Sequence, residues 1–452
     1  MRSTGLALCV LIAACGPHGR TGEPVTGKSP VTAPKPEPEP VAGVLSAEER
    51  AIAGAVDRDN DAAIALLEKV VNINSGTLNP TGVRAVGAVF DKELKALGFE
   101  TRWVEGAAFQ RAGHLVAERA GSGPKVLLIG HLDTVFEPDS PFQRFERLGP
   151  DSARGPGVID MKGGDVIIVF ALKALATAGL LDGMHLVVVM TGDEEAPGNP
   201  RETSRAALLE AARGCAAAIG FEDGDGSPER LVIARRSGGP WKLEVKGNTA
   251  HSSQIFRPDI GYGAAFEVAR ILDGFRTRLA GQEYLTFNPG LVLAGTPVEH
   301  DRAKARGSAA GKPNVIAEQA VVVGDLRALT REQRENAMKV MSEVVAASLP
   351  GTSATITFDD GGPPLAPTEG NRRLLAMVDQ ISLDLGAGRV TAVDPMRAGG
   401  ADVSYLDGRV PMIIDALGLK GDGGHTANET ADLRTLSLQT KRAAILLHRL
   451  AR

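Results

Sequence analysis

VLLIGHLDTV (126–135), GPGVIDMKGG (155–164) and VVVMTGDEEA (187–196) decide the fold. Each is an apolar run that ends in acids or a histidine: His131 and Asp133, then Asp160, then Glu194 and Glu195. Residues 126–129 and 186–190 are short and aliphatic, the pattern of strands buried on both faces of a parallel sheet. In open α/β sheets, ligands gather outside the carboxyl ends of the strands. The polar residues that close these runs are therefore expected to converge on one crevice. Oxygen and imidazole donors clustered in this way suit a hydrolytic zinc site.

The flanking sequence keeps the same rhythm. Ser46 and Glu49 form a capping box that opens a helix near 47, and helical periodicity continues over 61–71. Asn79 caps a second helix, 80–97, with Pro80 in its first turn and Gly98 at its stop. Strands are expected at 100–104, 114–118 and 217–220, the last ending at Phe221-Glu222-Asp223. Helices are expected at 164–178 and 201–212. This βαβ alternation predicts a doubly wound, mostly parallel α/β sheet. From 237 the order changes to β-α-β-β-α-β, a split-βαβ, ferredoxin-like unit. Its strands fall at 241–245, 284–293, 315–326 and 354–358, its helices at 259–272 and 331–347, and a polar loop at 296–313. We read 237–360 as an inserted lid and dimerisation domain. It divides a catalytic domain into 43–236 and 361–452, the latter holding a helix at 371–385, a strand at 411–416 and a closing helix at 436–450.

The chain has 452 residues, enough for two or three domains, and 43% of them are hydrophobic. A net charge of −5 and 4% aromatic residues argue against a nucleic-acid partner. Of three cysteines, Cys9 and Cys15 lie in the N-terminal apolar segment. Cys215 alone remains, so a disulfide framework and a cysteine-ligated zinc are excluded; it reads as a buried thiol. Arg2, the short apolar run 6–14 and Ile12-Ala13-Ala14-Cys15 resemble a lipoprotein signal, residues 1–15, with Cys15 as the lipidated residue. A plain secretory signal cut near Ala14 is the alternative. Residues 16–42, rich in Pro and alternating charge, read as a disordered tether. Together they predict an envelope-facing, lipid-anchored body on the periplasmic side, or else a soluble periplasmic one. The membrane is touched by the anchor only.

The motifs Gly130-His131-Leu132-Asp133-Thr134, Gly155-Pro156-Gly157 with Asp160-Met161-Lys162-Gly163-Gly164, and Asp193-Glu194-Glu195 resemble the di-zinc aminoacylase/carboxypeptidase family of metallopeptidases, nearest its glutamate carboxypeptidase branch. The resemblance runs from about 61 to the C-terminus. It implies two Zn2+ ions, with Co2+ or Mn2+ as substitutes. Asp160 would bridge them, His131 and Glu222 would complete one site, and Glu195 and His425 the other; Asp223 is the alternative to Glu222. Asp133, two residues along the strand, would take the free imidazole N–H of His131 on its carboxylate. Glu194 would be the general base and His251 a donor to the developing oxyanion, reaching a partner's site if the lid pairs two chains into a homodimer. Asn314 and Arg327, expected on lid strands, and Gly399 and Gly400 of a glycine-rich loop would bind substrate. A cis peptide is implied at Asp160–Met161. His114, His185, His300 and His448 match no part of the pattern and read as structural.

Taken alone, a His-x-Asp pair is usually structural and a run of three acids is most often a solvated turn. Their order and spacing together carry the reading. It is a carboxypeptidase that cleaves an amide beside a free carboxylate, in small peptides or N-acyl amino acids. An N-acyl-amino-acid deacylase or desuccinylase is the alternative, and a non-catalytic peptide-binding lipoprotein the second. The glutamate carboxypeptidase branch carries an arginine where this chain reads Gly361-Gly-Pro-Pro-Leu365. Preference for C-terminal glutamate therefore does not transfer, and Arg397 is the candidate substitute cation.

Overall fold

A computed structural model describes residues 43–302, 304–359 and 361–452. The expected signal and tether, residues 1–42, lie outside the described residues. No described helix is long and apolar enough to cross a membrane.

Ser46 caps the first helix, Ala47–Val71: its hydroxyl accepts the Glu49 N–H at 3.1 Å, and the Glu49 carboxylate accepts the Ser46 N–H at 2.8 Å. The two helical stretches read from sequence are one helix of 25 residues. Asn79 caps Pro80–Ala96 through a bond from Gly82 N–H at 3.1 Å.

The main sheet has six strands in the order Glu100–Glu105, Gly113–Arg119, His185–Thr191, Lys125–His131, Ala217–Gly220 and Ile413–Ile414. The first two joints are antiparallel and the remaining three parallel. Register explains the crevice. His131 pairs with Thr191, and Ile129 with Gly220, so three neighbouring strands end nearly level. The chain leaves those ends into His131–Asp133, Asp193–Glu195 and Glu222. Parallel strands buried on both faces carry near-continuous aliphatic runs, as Val126 to Ile129 and Leu186 to Met190 do here, all buried. The helix Lys162–Thr177 packs on this sheet directly after Asp160. A Cβ at Gly164 would lie 2.1 Å from the Phe221 carbonyl oxygen, so only glycine lets helix and strand end approach this closely.

A second, four-stranded sheet runs Thr286–Gly295, Gln319–Arg327, Pro240–Gly247, Thr352–Phe358, with every joint antiparallel. Residues along Gln319–Arg327 alternate between half-buried and buried, as a sheet with one covered face requires. Helices Gly263–Leu279 and Arg331–Ala346 supply the cover, and Trp241, Leu243, Ile271, Phe275, Val322 and Met341 form a core of their own.

Several expectations are corrected. The helix expected at 259–272 is Gly263–Leu279: Gly261 holds φ 86° and Gly263, the first helical residue, φ 71°, so the right-handed run cannot begin before them. The polar loop 296–313 contains an antiparallel hairpin, Val298–Asp301 with Arg306–Ala309. The strand at 315–326 starts later, at Gln319, which leaves Asn314 in a turn and off the strands. The strand at 411–416 shrinks to Ile413–Ile414. A further four-stranded sheet of short strands, Gly421–Asp422, Thr430–Asp432, Ser152–Arg154 and Glu146–Arg147, had no sequence signal. Strands of two or three residues are too short to show a period of two.

Candidate metal centre

His131 is almost fully buried at its strand end, and its Nε2 lies 3.0 Å from Asp160 Oδ1 and 3.6 Å from Glu222 Oε1. On the other side of Asp160, His425 Nε2 lies 2.8 Å from Asp160 Oδ2 and 3.2 Å from Glu195 Oε2. Two donor groups result, His131–Asp160–Glu222 and Asp160–Glu195–His425, with Asp160 common to both. The Asp160–Met161 peptide is cis. His425 sits at φ 63°, in the left-handed region, with its ring more than half exposed.

The donors fit divalent ions. Ligand atoms about 2.0–2.2 Å from a tetrahedral ion lie ~3.3 Å from one another, close to the four separations above. Glu195 Oε1 is buried with no hydrogen-bond partner among the described residues, an orphan acceptor that a cation would satisfy. Charge agrees. Burial pushes Glu222 and Glu195 above the usual carboxylate range, with nearby Asp160 adding to the effect in both. Hydrogen bonds that His425 donates to the Asp160 and Glu195 carboxylates push its pKa up to about 11. Burial opposes the proton on His131, yet the charge of Glu222 and hydrogen bonds to Asp133 and Asp160 outweigh it and raise that pKa well above its ordinary value. Buried carboxylates pushed upward in this way are short of positive charge nearby.

The profile of Peptidase family M20/M25/M40 matches residues 127–449, well over half of the chain. This chain belongs to that family. It is a metal-dependent hydrolase. Carboxypeptidase G2 of Pseudomonas sp. (strain RS-16) is 27% identical to this M20 peptidase over 412 residues, covering 90% of this chain and 94% of the relative. A succinyl-diaminopimelate desuccinylase of Gluconacetobacter diazotrophicus is 24% identical over 409 residues, 88% and 99% of the two chains. The Bacillus subtilis YXEP protein, described as a dinuclear metal binding peptidase of the M20 family, aligns with a TM-score of 0.58 at 17% identity, over 87% of this chain and 99% of that one. At that identity the likeness shows the fold.

Asp133 acts differently from the expectation. His131 Nδ1 donates to the backbone oxygen of Asp133 at 3.0 Å, while the carboxylate is 3.5 Å away. The carboxylate is taken by other donors: Thr77 Oγ1 at 2.6 Å, Glu194 N–H at 3.0 Å and Glu195 N–H at 3.2 Å. It therefore seats the loop that carries two candidate site residues. The peptide oxygen still fixes the His131 tautomer, leaving Nε2 free to ligate.

This M20 peptidase uses further buried polar residues that sequence reading missed. Arg205 sets Nη1 2.5 Å from Asp193 Oδ1 and Nε 2.8 Å from Asp402 Oδ1. Asp415 accepts Glu222 N–H at 3.2 Å and pairs with Arg235 at 2.7 Å. Glu429 accepts backbone N–H bonds around Asp160. A faint signal existed for Asp402, the acid that follows Gly399-Gly400-Ala401. For Asp415 and Glu429 the gripped backbone lies far away in sequence.

His251, Asn314 and Arg327 make no hydrogen bond or ion pair to the five donors among the described residues. His251 Nδ1 sits 2.9 Å from Ser253 Oγ, and its backbone bridges to Val315. Arg327 Nε donates to Asp325 at 2.7 Å. Gly399 and Gly400 are exposed, and Gly399 O accepts from Arg235 Nη1 at 2.7 Å. Arg397, the candidate substitute cation, is paired with Asp225 at 3.2 Å. His114 is buried and structural: its Nε2 donates to Ser204 O at 2.8 Å, and its Nδ1 accepts Gly192 N–H at 3.1 Å.

Proposed function

We propose that this chain is a co-catalytic di-zinc carboxypeptidase that hydrolyses the amide next to a free carboxylate in small peptides or N-acyl amino acids. The observation that carries this is the pair of donor groups sharing Asp160, with Glu194 beside them and outside both. His131, Asp160 and Glu222 would hold one ion, and Asp160, Glu195 and His425 the other. When bound, such ions polarise the substrate carbonyl and activate water. Glu194 takes a proton from the attacking water and delivers it to the leaving nitrogen. Its main chain is seated by Asp133, and burial followed by the charge of Asp402 pushes its carboxyl up to about 8.

Support for a carboxylate in the substrate comes from Arg236. It is buried, its Nη1 donates to Thr286 Oγ1 at 2.9 Å, and it has no ion pair among the described residues. Burial and then neighbouring Arg327 lower its pKa. Buried, with its Nε unpartnered among the described residues, Arg236 is suited to receive a carboxylate, while half-exposed Arg327 is already paired with Asp325. Residues 237–360 would be the lid that brings His251 and Arg327 to the substrate and pairs two chains. Phe256 and Phe266, half exposed with ring centroids 5.4 Å apart, offer apolar surface for that pairing. The deacylase reading is favoured by the desuccinylase likeness and shares the same chemistry. The Cys15 anchor would place the enzyme on the envelope.

The test is a substrate panel on metal-loaded protein lacking residues 1–41: dipeptides, their C-terminal amides, and N-succinyl amino acids. Acids should turn over and amides should not. Equal cleavage of both sinks the carboxylate requirement, and turnover confined to N-succinyl substrates selects the deacylase. Glu194→Gln should keep both ions and lose about 10²–10⁴-fold in kcat. No turnover of any member by the unmutated protein leaves the peptide-binding reading.

A further inference from the structure

Asp160 lies in a loop that has few bonds of its own. Three of its N–H groups point instead at a single side chain about 270 residues away. Glu429 Oε2 accepts Gly157 N–H at 3.0 Å, and Oε1 accepts Ile159 N–H at 2.9 Å and Asp160 N–H at 3.2 Å. The Glu429 backbone oxygen also accepts Gly155 N–H at 3.3 Å. Glu429 is fully buried.

The same residue closes the turn that carries His425. Glu429 N–H donates to Thr426 O at 3.1 Å, and Thr426 N–H donates to Gly423 O at 3.0 Å. One residue thus ends the His425 turn with its main chain and grips the Asp160 loop with its carboxylate. The His425 Nε2 to Asp160 Oδ2 separation of 2.8 Å spans the two segments it joins.

We propose that Glu429 is a positioning residue for the metal centre, setting the spacing of the Asp160–Glu195–His425 donors by tying the Asp160 loop to the His425 turn. This rests on the di-metal reading above. In the Asp160–Glu195–His425 group, two of three donors hang on segments that Glu429 joins. In the His131–Asp160–Glu222 group only Asp160 does. The two sites should therefore respond unequally to its loss, which a general structural defect would not produce.

Glu429→Gln keeps the shape but turns an amide N–H toward a backbone N–H. Glu429→Asp keeps the carboxyl group but cannot reach all three donors. The experiment titrates zinc into the full-length, chelator-stripped protein against a chromophoric competitor, with cobalt absorption as a second readout. The unmutated protein should bind two ions. Both variants should bind the first within about threefold of it and the second about 10–100-fold more weakly, the range for partners that orient ligands. The cobalt band of the weaker site should fade in parallel. Unchanged affinity at both sites, or equal loss at both, overturns the proposal. Failure of the unmutated protein to bind two ions sinks the di-metal reading, and this inference with it, before any variant is compared. If Glu429→Gln does not fold, Glu429→Asp decides.

Discussion

Arg205→Met removes a cation held between Asp193 and Asp402. Both acids are buried, and Arg205 itself is 1% exposed. Asp193 would lose the Nη1 contact at 2.5 Å and the Nη2 bond to its own backbone oxygen at 3.1 Å, keeping Ser204 Oγ and Gly198 N–H. Asp402 would keep Thr191 Oγ1 at 2.6 Å. Methionine fills much of the volume, so the cost is chiefly two buried carboxylates without a counter-charge. Breaking a buried pair in this way costs about 3–5 kcal/mol. Urea unfolding at pH 7 should show a deficit of that size. The sign with pH follows. Burial opposes ionisation of Asp193, but the Arg205 charge helps hold its carboxyl below the ordinary value; without Arg205 that acid takes up its proton at higher pH, so the gap to the unmutated protein narrows on acidification. Arg205→Met combined with Asp193→Asn and Asp402→Asn should recover more than half of the loss. A single variant within about 1 kcal/mol of the parent at pH 7, or a gap that widens on acidification, refutes the argument.

Other outcomes can be checked alongside. Arg449 pairs with Glu49 at 2.7 Å and Asp384 at 2.6 Å; burial opposes ionisation of both acids, but the guanidinium and the other hydrogen bonds prevail and hold them below their ordinary values. Their contribution is present above the unfolded carboxylate range near 4 and is lost as pH falls through the depressed folded values, so the stability gap of Arg449→Ala should shrink between about pH 5 and 3 in urea titrations. Gly164→Ala would set a methyl 2.1 Å from Phe221 O; it should cost about 1–3 kcal/mol by thermal unfolding and weaken zinc at the Glu222 side. On the proposed di-metal reading, an ion entering the Asp160–Glu195–His425 group would displace the proton that these two carboxylates keep on His425. Calorimetry in buffers of different ionisation enthalpy should show proton release, with affinity rising as pH rises. Ser46→Ala should cost about 0.5–2 kcal/mol through the lost bond to Glu49 N–H.

The sheet and the donor set were legible because their signals are local. A short aliphatic run such as Val126 to Ile129 reads as an interior strand by its length and its flanks, and the polar residue that ends it is placed by the register with its neighbours. Helix ends at Ser46 and Asn79 were equally legible, since a cap bonds to a residue three positions on. What failed was non-local. Asp415 grips Glu222 across 193 positions, and Glu429 grips Asp160 across 269; no spacing rule reaches that far. Asp133 was placed correctly beside His131, yet its carboxylate goes to the loop of Glu194. A two-residue spacing cannot show which of several distant N–H groups will compete for it. In the 237–360 region the errors lie at starts and turns, where Gly261 and Gly263 outweighed the periodicity.

Asp133, Asp415 and Glu429 all take hold of main-chain amides. An amide is the same whatever residue bears it. The seats of the donor loops are therefore indifferent to the side chains mounted on them. A Glu195→Asp or Glu222→Asp exchange should reset the reach to the ion while the loop stays in place. On the proposed reading, the centre would be able to change its choice of ion, or its contacts to substrate, without rebuilding the frame that holds it.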